Sequence, residues 1–347
     1  MAGLVNMHAD ALAEENYLPS MTLDSYLRNV VPTHPLLNSV LDFERPDADE
    51  ALKRLFATTT EFDSDFTGRG DSYRRAQRDA SVRWTGARQL LQLAAPTDGA
   101  EGTVLDVLGG DGLIARALSG HPEGAEVNLS ILTGDLSGEM VGQALAHGLP
   151  AVRQAADHLF LRDNTMDAVL LAYGTHHIAP QERLCAITEA LRVTRPGGRV
   201  VLHDFDEHSP MAYFFSDIVH PNTAAGHDYV HFSRELLAGL FDQAGTPARV
   251  IDMYDPLIVA GYTEDDARQR MCEYVADMYG VRSVFDALEG PEARWRLLEH
   301  CFGHEKYLAS LPGEANFTSQ PVVYRANGLF VAEVPRVAIV ALAQKAG

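Results

Sequence analysis

The chain reads as an α/β protein: a doubly wound, Rossmann-like sheet of seven strands, preceded by a helical N-terminal segment and interrupted by a helical insertion before the last strand. Three observations lead there. The apolar run Val104-Leu105-Asp106-Val107 passes straight into the glycine-rich turn Leu108-Gly109-Gly110-Asp111-Gly112 and then into a helical pattern. A second apolar run, Val127 to Leu132, is followed by Asp135, at about the twenty-residue spacing where a carboxylate reaches the ribose hydroxyls of a bound nucleoside. From about residue 100 to 260, strand-like and helix-like stretches alternate, as in a sheet covered on both faces.

Taken in order, residues 1–95 are helical and irregular, with breaks at Pro19, Pro32, Pro35 and Gly68-Arg69-Gly70. Aromatics are scattered through this segment (Tyr17, Tyr26, Phe56, Phe62, Phe66, Tyr73 and Trp84), and core packing is the commoner use of any one of them. Residues 96–261 hold the nucleoside-binding unit. Its later strands are expected at Ala168–Ala172, Arg199–His203 and Ala248–Met253. Ser233 is placed to cap a helix from Arg234 to Gln243, which Gly245 stops. Residues 262–320 carry helix-like sequence where the sheet is otherwise nearly complete, and an insertion that long is expected to cover the substrate. Residues 321–347 supply the final strand or strands of the sheet, near Val337 to Ala343.

Composition narrows the partners. Lys and Arg total 28 against 48 Asp and Glu in 347 residues, a formal charge of −20. A surface this acidic repels nucleic acid and anionic membranes, which leaves a small molecule as the expected substrate. The three cysteines, Cys185, Cys272 and Cys301, form no C-x-x-C pair, which suits a reducing compartment. No signal-peptide pattern and no apolar run of membrane-spanning length is present, so a cytoplasmic protein is expected. A homodimer is left open.

The turn does not match the G-x-G-x-x-G of dinucleotide sites, because Leu113-Ile114-Ala115-Arg116 follows Gly112. The chain resembles instead the class I S-adenosylmethionine (SAM) methyltransferases, whose first motif reads D-x-G-x-G-x-G. Asp106, Gly110 and Gly112 match, and Leu108 stands where the first glycine is usual. The resemblance continues through Gly134-Asp135-Leu136-Ser137 with Met140, Ala156-Asp157, Leu161 to Asp167, Gly174-Thr175-His176-His177-Ile178, and Leu191 to Gly198. It implies that Asp106 and the backbone of Gly110 and Gly112 hold the methionine end of SAM, that Asp135 takes the ribose, and that Asp157 takes the adenine amino group. Gly109, Leu136, His158 and Tyr173 complete the implied cofactor set. It also implies that the N-terminal segment lids the substrate. The physics agrees, since a sulfonium and an ammonium suit carboxylates better than the basic residues a phosphate needs.

Histidine placement is the other informative feature: of fourteen, seven lie between residues 203 and 304. His227 with His231, and His300 with His304, are spaced i, i+4, which keeps two rings on one side of a helix or a strand. His203-Asp204 closes the strand after the Pro-Gly-Gly turn, where such sheets open onto their ligands. Asp204, His227, His231 and His304 are the candidate ligands for a divalent metal, Zn or Fe, and His203, His227 and His231 the candidate catalytic groups. The His176-His177 pair resembles a common scaffold element of the family.

The segment His203-Asp204-Phe205 through Gly226-His227-Asp228-Tyr229-Val230-His231-Phe232 is similar to that of bacterial C-methyltransferases acting on 2-oxo acids in nonribosomal peptide, that is antibiotic, biosynthesis. That similarity implies metal-assisted C-methylation beside a ketone, with a neutral His as base. Two alternatives stand beside it: a metal-free O-methyltransferase for a phenol or carboxylate, with a His base, and a SAM-binding subunit that transfers no methyl.

Overall fold

Strands that are apolar on both faces belong in the middle of a covered sheet, and β1 (Gly102–Asp106) has that composition. In the computed structural model, which describes residues 15–63, 69–97, 99–311 and 317–347, its Val104 and Leu105 are fully buried. Phe66 and Gly68, singled out above, lie outside the described residues. β1 runs parallel between β2 (Leu129–Asp135) and β4 (Met166–Leu171), with Leu105 opposite Leu132 and Val169. β3 (Ala151–Arg153) extends the sheet beyond β2, and β5 (Thr194–Asp204) extends it beyond β4. β7 (Val337–Gln344) enters antiparallel between β5 and β6 (Ala248–Tyr254), giving the order 3-2-1-4-5-7-6. The order reverses between β1 and β4, so the crevice at their carboxyl ends is where a ligand is expected.

Local signals produced the elements they predict, with shifted ends. The second strand begins at Leu129 rather than Val127 because Pro122–Glu126 forms a 3-10 turn that carries the chain through Val127. Ser233 Oγ accepts the Leu236 N–H at 3.1 Å and starts the helix Arg234–Gln243. Ser137 Oγ does the same for Met140 at 3.2 Å, starting Gly138–Ala146 directly after β2.

The end of the chain differs from expectation. Of residues 321–347, only Val337–Gln344 joins the central sheet. Val322–Ala326 and Leu329–Val334 form a separate three-stranded antiparallel sheet with Leu257–Gly261, a pairing of segments some seventy residues apart. The helices Glu264–Met278, Arg282–Asp286, Gly290–Cys301 and Glu305–Leu308 fill the interval. Their apolar residues, Met271, Val275, Trp295 and Phe302 among them, share one core with Phe205 and Phe215 beyond β5 and with Ala338 of β7. Arg336 and Asp255 hold the two crossings between the sheets together: Arg336 Nη2 donates to Asp255 Oδ2 at 2.6 Å, and each backbone N–H or Nε–H completes the clasp at 2.9 Å.

The N-terminal segment splits into two uses. The Tyr17 and Tyr26 hydroxyls donate to the Arg153 and Ala151 carbonyls at 2.6 and 2.7 Å, and so cover the outer edge of β3, which has no further strand beside it among the described residues. Trp84 stacks on His121 at 4.3 Å. Of the aromatics named above that lie among the described residues, Phe62 and Tyr73 border the large cavity at the carboxyl end of the sheet. Among the described residues, no helix is long and apolar enough to cross a membrane.

Gly86, inside the helix Trp84–Ala94, lets that helix approach the clasp: a Cβ there would fall 1.7 Å from Asp255 Oδ1 and 2.7 Å from the Tyr173 hydroxyl. Helix propensity alone favours Gly86→Ala by about 0.8–1.0 kcal/mol. The clash outweighs it, and we expect Gly86→Ala to destabilise the protein by about 1–3 kcal/mol. Urea denaturation checks this, and a midpoint that rises would show that the clasp yields without cost.

Candidate active site

A cavity of about 740 Å³ opens at the carboxyl ends of β1, β2 and β4. Its floor at one end is the glycine turn. Gly110 and Gly112 have φ of +58° and +85°, a region that side chains other than glycine rarely enter. Gly109 packs under the turn, where a Cβ would meet Thr133 Cγ2 at 2.8 Å, and it does not border the cavity. Asp135, at the end of β2, accepts the Gly110 N–H on Oδ2 and the Ser137 N–H on Oδ1, both at 2.8 Å. A carboxylate has lone pairs left after two such bonds, so it can still receive hydroxyls.

This end of the cavity is acidic. Asp106 is buried beneath the turn and does not border the cavity; burial, and then the Asp135 charge, push its carboxyl up to about 8, and its Oδ1 has no partner among the described residues. Burial likewise raises Asp135 to about 6, against the pull of the Ser137 and Gly110 amides and with Asp63 and Asp111 adding to the rise. Asp63, from the N-terminal segment, accepts the Ser137 hydroxyl at 2.6 Å and the Glu139 N–H at 3.2 Å. Leu136, Met140, Ala155 and Ala156 make an apolar wall beside Asp157, whose Oδ2 meets Arg54 at 3.1 Å. An orphaned buried carboxylate oxygen, an acidic floor and an apolar slot fit a ligand with a sulfonium, an ammonium and a purine. His158, also expected at the cofactor, does not border the cavity; its Nδ1 lies 3.5 Å from Asp47.

The opposite wall is built where β4 and β5 end side by side. His176, just past β4, donates its backbone N–H to Asp204 Oδ2 at 2.6 Å, and its Nδ1 lies 3.0 Å from both Asp204 oxygens. Nε2 of His176 is then buried without a partner, as is Nε2 of His227. His176, His177 and His227 bring one nitrogen each within 4.8 Å of one another, and His176, Asp204 and His231 form a second such group. Although burial alone would raise it, His176 and then His231 hold the Asp204 carboxyl well below the usual carboxylate range. Burial and the neighbouring imidazoles push His227 down to about 2 and His177 well below its ordinary value, so both are neutral at pH 7.

His227 and His231 meet through an irregular loop, not a helix or strand, with ring centroids 6.3 Å apart. Phe215, in the π-helical turn Phe215–Val219, stacks on His227 at 4.2 Å and on His231 at 5.4 Å. The His227 N–H donates to His220 Nδ1 at 2.9 Å, and Gly226, at φ +70°, turns the chain there. His231 sits behind Asp204, 3.8 Å from Oδ1, and does not border the cavity.

Two expected site residues lie elsewhere. His304 is fully buried in the insertion with Nδ1 2.8 Å from the Phe302 carbonyl, and burial pushes it down to about 4. Its spacing from His300 spans the end of the helix at Cys301, so the two rings share no face. His203 points into the core, with Nε2 3.5 Å from Asp255 and its ring 4.8 Å from Tyr173. Tyr173 itself borders the cavity at φ +59°, and its hydroxyl donates to Asp255 Oδ1 at 3.1 Å. Conversely, His176 and His177, read above as scaffold, form the centre of the imidazole group. Their position directly after β4, at the switch point, was the signal for that role.

Residues 105–202, which carry the glycine turn, Asp106 and Asp135, match the family described as methyltransferase domain. The ubiquinone/menaquinone biosynthesis C-methyltransferases UbiE of Brucella abortus and Brucella canis are each 32% identical over 141 residues, covering 38% of this chain and 47% of theirs. The chain thus spans about half the length of the curated relatives it matches. Among solved structures, a Haloferax volcanii methyltransferase complexed with its Trm112 activator aligns at TM-score 0.49 and 17% identity, over 84% of this chain and 100% of that one. Haemonchus contortus phosphoethanolamine N-methyltransferase 2 with SAM aligns at TM-score 0.48 and 15% identity, over 83% and 61%.

The raised carboxyls make a pH prediction. Unfolded Asp titrates near 3.9, so above about pH 4 the folded, ligand-free protein holds protons that the unfolded chain has lost, at Asp135 up to about pH 6 and at Asp106 up to about pH 8. Their contribution to stability is therefore complete below about pH 4 and is lost as pH rises through about 6 and then 8. A cationic ligand favours the ionised forms, so SAM is expected to bind more tightly at pH 8 than at pH 5.5 and to release protons on binding. Calorimetry in two buffers of different ionisation heat measures both, and pH-independent affinity without proton release would remove these carboxyls from the cation's surroundings.

Proposed function

We propose that this protein is a SAM-dependent methyltransferase of secondary metabolism, such as antibiotic biosynthesis, that methylates a 2-oxo acid on the carbon beside its ketone with the help of a divalent metal. The observation that carries this reading is the convergence of His176, His177 and His227 on one point in the cavity whose other end is the acidic cofactor floor. The two orphaned Nε2 atoms of His176 and His227 fit a borderline ion such as Zn or Fe. Asp204 on His176 Nδ1 supplies the carboxylate that such ligands carry behind them. Bound there, the ion would serve as a Lewis acid toward the carboxylate and keto oxygens of the substrate and so acidify the neighbouring C–H.

The chain's own residues supply the rest. His231, with Asp204, fixes the ring of His176. With the ion held on His176 and His227, the neutral imidazole of His177 takes the proton from the substrate carbon. The carbon lone pair then attacks the methyl of the sulfonium in line, the S–CH3 bond breaks, and the cofactor leaves as a neutral thioether. The C-methyltransferase relatives support carbon as the acceptor.

Metal content and turnover of labelled SAM test this together. His176→Ala and His227→Ala are expected to lose bound metal and activity in parallel while SAM affinity is unchanged, and Asp204→Asn to weaken metal binding by about 10- to 100-fold. A wild-type enzyme that is free of metal, fully active in chelator and methylates oxygen would replace this reading with the metal-free O-methyltransferase.

A further inference from the structure

Three arginines border the cavity, and two have carboxylate company: Arg336 Nη2 donates to Asp255 at 2.6 Å, and Arg69 Nε lies 3.9 Å from Glu61. The third, Arg83, is 5% exposed and forms no ion pair among the described residues. It closes the 3-10 turn Ala80–Arg83, which runs directly into the helix Trp84–Ala94, so its backbone is held by regular structure. Its Nε donates to the Tyr274 hydroxyl at 3.2 Å, and its guanidinium carbon lies 4.7 Å from the centre of the Tyr173 ring. Asp255 is close enough to feel its charge, but the Asp255 oxygens already receive Tyr173 and Arg336.

A guanidinium stays charged at any pH the protein meets, and a buried cation without a counter-ion is costly. Nε and the ring face are engaged by Tyr274 and Tyr173, which sets the plane of the fork and leaves its terminal donors for a ligand. That geometry matches two oxygens of a carboxylate. We infer that Arg83 anchors the carboxylate of the substrate, in a subsite completed by Tyr173 and by Tyr274 of the insertion. The inference rests on the reading of this cavity as the place of methyl transfer, and it is independent of the metal. The other carboxylate that enters such a cavity is the one on the methionine end of SAM. Tyr73, close enough to feel the Arg83 charge, reaches the glycine turn at Gly110, but the hydrogen bond that Nε donates goes to Tyr274 on the inserted helix Glu264–Met278, which favours the substrate.

The test is calorimetric titration of protein saturated with S-adenosylhomocysteine, in chelator, with oxalate, pyruvate and phenylpyruvate and with their neutral counterparts oxamide, methyl pyruvate and methyl phenylpyruvate. At least one acid is expected to bind, and its neutral counterpart to bind roughly tenfold more weakly or worse. Arg83→Gln should weaken the acid by roughly 10- to 100-fold, to the level of the neutral compound, with Arg83→Lys between the two. Unchanged S-adenosylhomocysteine affinity in both variants shows that they are folded. Equal binding of acid and neutral compound, an acid preference that survives Arg83→Gln, or no binding of any acid overturns the inference. Loss of S-adenosylhomocysteine affinity alone, in a variant with unchanged circular dichroism, assigns Arg83 to the cofactor instead. Wild-type protein that binds no S-adenosylhomocysteine overturns the reading of the cavity, and this inference with it.

Discussion

The carboxylate of Asp255 is the constraint on which the junction of the two sheets and the inserted helices depends. It is fully buried at the point where the chain leaves β6, and it receives Arg336 from the residue before β7 and the hydroxyl of Tyr173 from the loop after β4. His203 of β5 lies 3.5 Å away, and Arg336 reaches on to the Tyr279 hydroxyl of the insertion. One side chain therefore registers three strands, the inserted helices and a cavity residue held at positive φ. Removing either member of a buried pair of this kind strands the other, which is why the small outer sheet and the insertion cannot shift independently of the central sheet.

The cavity is polarised along its length, and the polarity follows from which strand ends contribute. β1 and β2 end in Asp106 and Asp135, with Asp63 brought in from the N-terminal segment, so a cation is favoured there. β4 and β5 end beside His177 and His227, which burial keeps neutral, so these two rings offer lone pairs without adding positive charge. Arg69, Arg83 and Arg336 also border the cavity. Under the proposed function, a positively charged methyl donor and an oxyanionic acceptor would be sorted to opposite ends of this cavity.

What was legible in the sequence was whatever local chemistry determines. The glycine turn, the carboxylate after the second strand and the serine caps at Ser137 and Ser233 each act over a few residues, and each appears where its pattern lies. What was not legible depends on pairing across distance. Leu257–Gly261 looks locally like another strand of the main sheet, and only its partner Leu329–Val334 makes it part of a second one. The i, i+4 spacing of His300 and His304 carries no meaning once the helix ends between them, whereas His227 and His231 converge through a loop that no periodicity describes. His176 and His177 were hidden by the opposite error, a familiar local pattern whose use is decided by Asp204, 28 residues away.

The imidazole group also shows how a loop attains the precision of regular structure. His227 is held on three sides by different kinds of force: its backbone N–H by His220, its ring face by Phe215, and its turn by the positive φ of Gly226. Two of those supports come from one stretch, because the π-helical turn at Phe215–Val219 widens the helix so that Phe215 faces the imidazoles while His220 follows at the corner. His176 needs no such apparatus, since the neighbouring strands β4 and β5 deliver it and Asp204 together. The rigid half of the group is thus a product of strand order, and the loop half is adjusted to meet it.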